Sequence, residues 1–204
     1  MHFMRFPNRA AAGRRLAELL AGRAELDQVA RPLVLGLPRG GISVGYELAR
    51  ALGVPLDVLV ARRLWAPGQP ELAIGAVAPG VRVLHEVLIA EMGISVRYVD
   101  CAVAEQILEV ERATLRYRAE RPPLELADRA VLLVDDGLAS GATAAAALQA
   151  ARRQGPRHLV FATPVASTAG LRVVKRRGDA DEVWCLCEVS NLGMVSEWYE
   201  DFSP

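Results

Sequence analysis

The sequence has almost no lysine. Lys175 is the only one among 24 basic residues, so arginine carries nearly all of the positive charge. Cysteines are also few, and their odd number argues against a disulfide framework and for a reducing compartment. The formal net charge is zero, which argues against a nucleic-acid partner bound through bulk charge. Because lysine is nearly absent, any phosphate contact must come from arginine side chains or backbone amides.

Long hydrophobic runs are missing as well. No stretch approaches the roughly 18 uninterrupted apolar residues of a membrane span. The N-terminal residues lack the apolar core and the cleavage site of a signal peptide. We therefore expect a cytoplasmic protein with no membrane partner. Its 204 residues, about half of them apolar, suit one domain.

Short apolar runs and amphipathic segments alternate along the chain, which predicts an α/β fold with a mainly parallel sheet and helices on both faces. In such sheets ligands bind beyond the carboxyl ends of the strands. Residues 71–84 are predicted to form two short strands joined at Pro79 and Gly80. The other predicted strands are residues 32–37, 55–61, 130–136, 158–167 and 181–187, and the predicted helices are 9–21, 41–53, 96–119, 141–155 and 169–177.

The segment VLLVDDGLASGAT, residues 131–143, combines a buried strand, two acids and a loop of small residues. The strand ends at Asp135 and Asp136, and residues 139–143 carry only small or hydroxyl side chains. Backbone amides of this loop can approach a phosphate at the positive end of the following helix. The carboxylates can accept hydrogen bonds from a ribose diol or lie near a divalent cation. A simple helix-capping turn is the alternative for a lone Asp-Asp-Gly, but the whole arrangement favours a ribose-phosphate site.

This segment resembles the binding motif for 5-phosphoribosyl 1-pyrophosphate (PRPP) in the type I phosphoribosyltransferases. Asp135 and Asp136 match its acids, Gly141 and Thr143 match its later positions, and Ser140 keeps the hydroxyl of the family's threonine. The resemblance implies that the acids hold the ribose and that the loop holds the 5′-phosphate. The implied phosphate-binding residues are Ala139, Ser140, Gly141, Ala142 and Thr143.

A second loop, residues 38–41, follows the first predicted strand. Gly36 and Gly41 have the spacing of a P-loop, and Ser43 stands where its serine belongs, but Ile42 stands where a nucleotide triphosphatase needs lysine. Its Pro-Arg-Gly-Gly sequence resembles the pyrophosphate loop of the phosphoribosyltransferases. This implies that Arg39 contacts pyrophosphate oxygens, that Gly40 and Gly41 allow close approach of the backbone, and that the peptide bond before Arg39 is cis.

The third element of that family is a mobile loop that closes over the reaction, and the segment that starts at Arg62 has its position and composition. Arg62 and Arg63 are candidates for bridging the pyrophosphate, and Glu71 is a candidate for facing the site. A solvated surface hairpin is the alternative. The candidate catalytic residues are therefore Asp135, Asp136, Arg39, Arg62 and Arg63; no direct metal ligand is assigned, although Asp135 and Asp136 are the candidates.

The resemblance implies one phosphoribosyltransferase domain over residues 1–204, with a core at about 32–188, a flexible hairpin, and a small hood from about 1–30 and 189–204. It implies a Mg²⁺-dependent, homodimeric enzyme of nucleotide metabolism. Such an enzyme transfers the phosphoribosyl group of PRPP to a nitrogen acceptor, a nucleobase, and releases pyrophosphate. A regulatory protein of the same fold, which binds PRPP or nucleotides without turnover, is the alternative.

The sequence narrows the class of acceptor without identifying it. Enzymes for 6-oxopurines carry an aspartate just before the motif's threonine, whereas this sequence has Ala139, which argues against hypoxanthine and guanine and leaves adenine-type acceptors open. Aromatic residues near the C-terminus are candidates for stacking on a base, with the core or a dimer interface as alternatives. These residues are Trp184, Trp198, Tyr199 and Phe202.

Overall fold

The computed structural model describes residues 5–21 and 32–203, and its centre is a five-stranded parallel sheet. The strands are β1 (Leu33–Gly36), β2 (Leu56–Val58), β6 (Ala130–Val134), β7 (His158–Ser167) and β8 (Glu182–Val189). Their order in the sheet is β2-β1-β6-β7-β8, and all neighbours are parallel. The predicted mainly parallel α/β fold is confirmed.

Helices cover both faces of this sheet. One face packs against α1 (Arg9–Leu20) and α2 (Gly40–Leu52). The other packs against α5 (Ala142–Arg152) and α6 (Thr168–Arg177). Successive strand residues alternate between the two cores, as period-two side-chain direction requires. None of the helices within residues 5–21 and 32–203 is both long and apolar enough to cross a membrane.

A second, antiparallel sheet leaves the first after β2. It consists of β3 (Arg62–Ala66), β4 (Gln69–Ala78) and β5 (Val81–Leu84), with α3 (Glu86–Glu91) and α4 (Val96–Arg118) following. The expectation of a loop before residue 71 is wrong, because Leu64 and Ala66 are buried in one cluster with Val99 and Val103 of α4. The sequence did not predict this strand, because two arginines and a Pro-Gly turn interrupt its apolar pattern. Mobility of the hairpin stays a prediction.

Helix α5 lies between the two sheets. Apart from Leu148, all of its buried residues are alanines. Five of these alanines and Leu148 pack in one cluster with strands of the parallel sheet and with Ala76, Ala78 and Val81 of the antiparallel sheet. Small side chains let the helix backbone lie close to both layers. The helix ends at Arg152, three residues before the end of the predicted helix 141–155, and Gly155 lies after it with φ 69°.

The two chain ends meet above the carboxyl edge of the parallel sheet. Phe6 pairs with Tyr199 in a parallel bridge. The Phe6 N–H donates to the Trp198 carbonyl (2.8 Å), and the Glu200 N–H donates to the Phe6 carbonyl (2.9 Å). All three aromatic side chains of this contact are buried. The parts of the predicted hood at residues 1–4, 22–30 and 204 lie outside the described residues.

An ion pair joins the end of α4 to β2. Arg118 donates to both carboxylate oxygens of Asp57, at 2.9 and 3.0 Å. Burial alone raises the pKa of Asp57. The hydrogen bonds from Arg118 and from the Val58 N–H outweigh this effect and hold the pKa below its ordinary value.

We expect Arg118→Met to lower the free energy of unfolding at pH 7 by about 1.5–3 kcal/mol, because charge-assisted hydrogen bonds are lost. Since the pKa of Asp57 is lowered in the folded state, this stabilisation is full above pH ~4 and fades as the pH falls further. Urea unfolding should therefore show a smaller difference between the two proteins at pH 3 than at pH 7. Arg121→Met is the control, because that guanidinium is 57% exposed and 3.7 Å from the same carboxylate; an equal loss for both variants at pH 7 would contradict the interpretation.

Candidate functional site

A cavity of about 650 Å³ opens beyond the carboxyl ends of β1, β2 and β6. All five candidate catalytic residues line it, as do Gly40, Ala139 and Thr143 of the candidate binding residues. The other binding candidates lie in the same two loops but do not line the cavity. These residues are Gly41, Ser140, Gly141 and Ala142.

The loop after β1 touches the end of β6 directly. The Leu37 N–H donates to the Val134 carbonyl at 2.9 Å. A Cβ atom at position 40 would overlap the Asp136 carboxylate, and one at position 41 would overlap the Val134 carbonyl oxygen. Only glycine at both positions lets the loop lie this close to the acids.

Arg39 is exposed at the start of α2, where its guanidinium can reach the cavity. The peptide bond between Pro38 and Arg39 is cis, as the sequence resemblance implied. Ile42 is half-buried and packs on the apolar cluster beneath the antiparallel sheet. The position that would carry the lysine of a P-loop is therefore occupied by a packing residue.

The 139–143 loop leads into α5 and is held by contacts with the first turn of α6. Gly141 has φ 82°, and a Cβ atom there would lie 2.8 Å from the Gly170 carbonyl oxygen. Ser167 Oγ donates to the Ala139 carbonyl (2.5 Å) and accepts from the Gly170 N–H (2.8 Å). The loop is thereby fixed with its backbone next to the amino end of α5, where the helix dipole favours an anion.

Strand β3 brings two arginines to the opposite wall. Arg63 Nε donates to Thr143 Oγ1 at 3.3 Å, and Arg62 Nε donates to Gln106 Oε1 of α4 at 3.4 Å. Glu71 of β4 also lines the cavity. The antiparallel sheet therefore brings positive charge to the 139–143 loop.

The two acids differ in their surroundings. Burial raises the pKa of Asp135 well above its ordinary range, and the negative charge of Asp136 raises it further, although the Asp136 N–H and Arg63 oppose this effect. The Asp136 carboxylate accepts a 2.7 Å hydrogen bond from Arg9 Nε. The negative charge of the pair is therefore balanced from two sides, by Arg63 and by Arg9.

Arg9 is the main residue that sequence reasoning missed. It lies in the first turn of α1, more than 120 positions from the acids, and no motif marks it. Other wall residues without a sequence signal come from the C-terminal segment, where Val195 packs against Gly137 so closely that a Cβ atom at position 137 would lie 2.5 Å from Val195 Cγ1. The missed wall residues of this segment are Gly193, Met194, Val195 and Ser196.

The four aromatic candidates have different positions. Phe202 lines the cavity, and the Arg9 guanidinium lies 3.5 Å from its ring centroid. Trp198 is buried, with its indole N–H on the Leu192 carbonyl. Trp184 lies on β8 and donates to Glu182. Tyr199 is buried and reaches the acids only through its hydroxyl, which donates to the Asp136 carbonyl.

The chain is similar to known proteins of one family. The family model of the phosphoribosyl transferase domain matches residues 6–186. Two Mycobacterium tuberculosis proteins, from strains CDC 1551 / Oshkosh and ATCC 25618 / H37Rv, are each 41% identical over 202 residues and carry the provisional name phosphoribosyl transferase. These alignments cover 97% of this chain but 44% of each relative, so the chain spans less than half the length of these curated relatives.

Solved structures share this fold. The crystal structure of TT1426 from Thermus thermophilus is 40% identical, with a TM-score of 0.77 over 98% of this chain and 93% of that one. A purine phosphoribosyltransferase from Pyrococcus horikoshii is 17% identical, with a TM-score of 0.50 over 90% and 83% of the two chains, and shares the fold. The match to the family model extends over most of the sequence and includes both β1 and β6 with their loops. The chain belongs to the phosphoribosyl transferase domain family.

Proposed function

We propose that this chain transfers the 5-phosphoribosyl group of PRPP to a nitrogen acceptor, with release of pyrophosphate. One observation carries the proposal: the acid pair, two residues of the 139–143 loop and four arginines from three elements line a single cavity. Family membership supports a transferase. Because the chain spans less than half of its curated relatives, the activity is proposed for the domain described here.

Each part of PRPP has a matching group in the cavity. Asp135 and Asp136 would accept hydrogen bonds from the ribose hydroxyls, and the 139–143 loop would bind the 5′-phosphate through backbone amides and the Thr143 hydroxyl. Arg39 and an arginine of β3 would bind the pyrophosphate and stabilise the charge that develops as the C1–O bond breaks. The acceptor nitrogen then forms the new bond to C1. Closure of the 62–80 segment over the bound donor would limit access of water, which would otherwise hydrolyse PRPP.

The residues present fit a magnesium ion that is held mainly by the substrate. Within residues 5–21 and 32–203, no group of three or more His, Cys, Asp or Glu side chains could hold a metal ion. Magnesium commonly binds through one or two carboxylates together with substrate phosphates, and Asp135 and Asp136 offer such oxygen atoms. Bound in this way, the ion would neutralise charge on the leaving pyrophosphate.

The C-terminal segment and Arg9 line the cavity and would form the acceptor side. Ala139 lines the cavity and offers no carboxylate to a purine nitrogen, so we keep adenine-type acceptors in the proposal and leave 6-oxopurines as the less favoured class. The homodimer, the cytoplasmic location and the role in nucleotide metabolism stay predictions. A PRPP-binding regulator without turnover is the second candidate function, since the same cavity would serve it.

Incubation with PRPP, Mg²⁺ and single nucleobases tests this function directly. We expect pyrophosphate release with one base or one class of bases, because the cavity offers groups for the whole donor. The measurement is an enzyme-coupled pyrophosphate assay, with PRPP and Mg²⁺ alone as the control. Binding of PRPP by calorimetry without release on any base would support the regulator instead.

The acid pair should be indispensable for donor binding. We expect Asp135→Asn combined with Asp136→Asn to weaken PRPP binding by roughly a hundredfold or more, because both carboxyl groups that would accept hydrogen bonds from the ribose are lost. Isothermal titration calorimetry with Mg²⁺ measures the Kd. Asp100→Asn is the control, since this exposed carboxylate pairs with Arg82 and does not line the cavity. Unchanged PRPP binding in the double variant would refute the assignment of the donor site.

Arg63 should act mainly on turnover. We expect Arg63→Gln to lower kcat by about a hundredfold, as loss of one donor to a developing negative charge typically does. The matched control is Arg82→Gln, because Arg82 belongs to the same sheet but does not line the cavity. Steady-state kinetics with the identified base compare the two, and equal losses would contradict a specific role for Arg63.

A further inference from the structure

Asp136 is held by both ends of the chain. Arg9 from the N-terminal segment donates Nε to Asp136 Oδ2 at 2.7 Å, and both side chains are only 13% exposed. Tyr199 from the C-terminal segment donates its hydroxyl to the Asp136 carbonyl at 2.5 Å. The pKa of Tyr199 is raised, first by burial and then by the negative charge of Asp136, so the hydroxyl keeps the proton that it donates.

The same guanidinium also ties the two ends together. Arg9 Nη1 donates to the carbonyls of Phe202 (3.1 Å) and Ser203 (3.0 Å). Its central carbon lies 3.5 Å from the centroid of the Phe202 ring, within the range of a cation–π contact. One side chain thus connects α1, the C-terminal segment and the loop after β6.

These contacts fix one oxygen of the Asp136 carboxylate. Oδ2 accepts from Arg9, and the carboxyl group of Asp135 lies in hydrogen-bonding contact with that of Asp136. A carboxylate fixed in one rotamer loses little further freedom when a ligand binds, so the ligand binds more tightly. A free Asp136 would have to be ordered by the ligand itself.

We propose that Arg9 is a positioning residue of the donor site: it acts through Asp136, whose carboxylate it holds in one orientation at the cavity wall for a ribose hydroxyl. The terminal segments are then part of the donor site as well as the wall on the acceptor side. This inference rests on the proposed binding of PRPP. It adds that donor binding and docking of the two chain ends stabilise each other, as linkage requires.

Calorimetric titration of PRPP with Mg²⁺ into single variants tests the role of Arg9. We expect Arg9→Met to raise the Kd for PRPP by about ten- to a hundredfold, because a buried charge-assisted contact to Asp136 is lost. Arg9→Lys should lie in between, since an ammonium can reach Asp136 but cannot fork to the C-terminal carbonyls as well. Tyr199→Phe should cause a smaller rise. The matched control is Arg14→Met, further along α1, where the arginine contacts Glu47 and does not line the cavity.

A double-mutant cycle separates positioning from a general loss of structure. If Arg9 acts through Asp136, then Arg9→Met should change the Kd by less than about twofold in the Asp136→Asn background. Thermal unfolding of each variant reports on folding independently. In turnover assays, Arg9→Met should raise the KM for PRPP more than it lowers kcat.

The outcomes are distinct. An Arg9→Met variant with wild-type PRPP affinity would overturn the inference and leave the proposed function intact, provided that the wild type and Arg14→Met bind. An equal effect of Arg9→Met in both backgrounds would also overturn it, because Arg9 would then act independently of Asp136. No PRPP binding by the wild-type chain would refute the proposed function, and this inference with it.

Discussion

The close contact between the loop after β1 and the end of β6 is the constraint on which the candidate site depends. Neighbouring parallel strands end at the same edge, so their loops must share the space beyond it. The Leu37–Val134 hydrogen bond brings these loops together, and the absence of side chains at positions 40 and 41 lets them touch. The arginine of one loop and the two acids of the other therefore open into one cavity.

Helix α5 extends this arrangement to the second sheet. Its alanines allow two layers to pack against one helix, and its first turn carries Thr143. Since the antiparallel sheet packs on the same helix, Arg63 is brought within hydrogen-bonding distance of Thr143. Packing of the antiparallel sheet against α5 thus determines that Arg63 lies next to the amino end of this helix. The packing and the electrostatics of the site have the same origin.

The chain ends complete the site from above the sheet. A backbone bridge between Phe6 and Tyr199, surrounded by buried aromatic side chains, fixes both segments over the acid pair. This places the Arg9 guanidinium against Asp136 in a largely buried environment, where the Coulomb attraction of an ion pair is screened less than at the surface. The hood and the acid pair therefore form one hydrogen-bonded unit.

Local periodicity and short motifs were enough to predict the parallel sheet, most helix and strand positions, and the two loops with their acids and glycines. Strand β3 was not predicted, because arginines and a Pro-Gly turn interrupt its apolar pattern. Its buried residues are explained only by their contact with α4. Arg9 escaped because nothing near it in sequence distinguishes it from the neighbouring arginines of α1. Its partner Asp136 is distant along the chain, and only tertiary packing of the chain ends decides which arginine meets the acid.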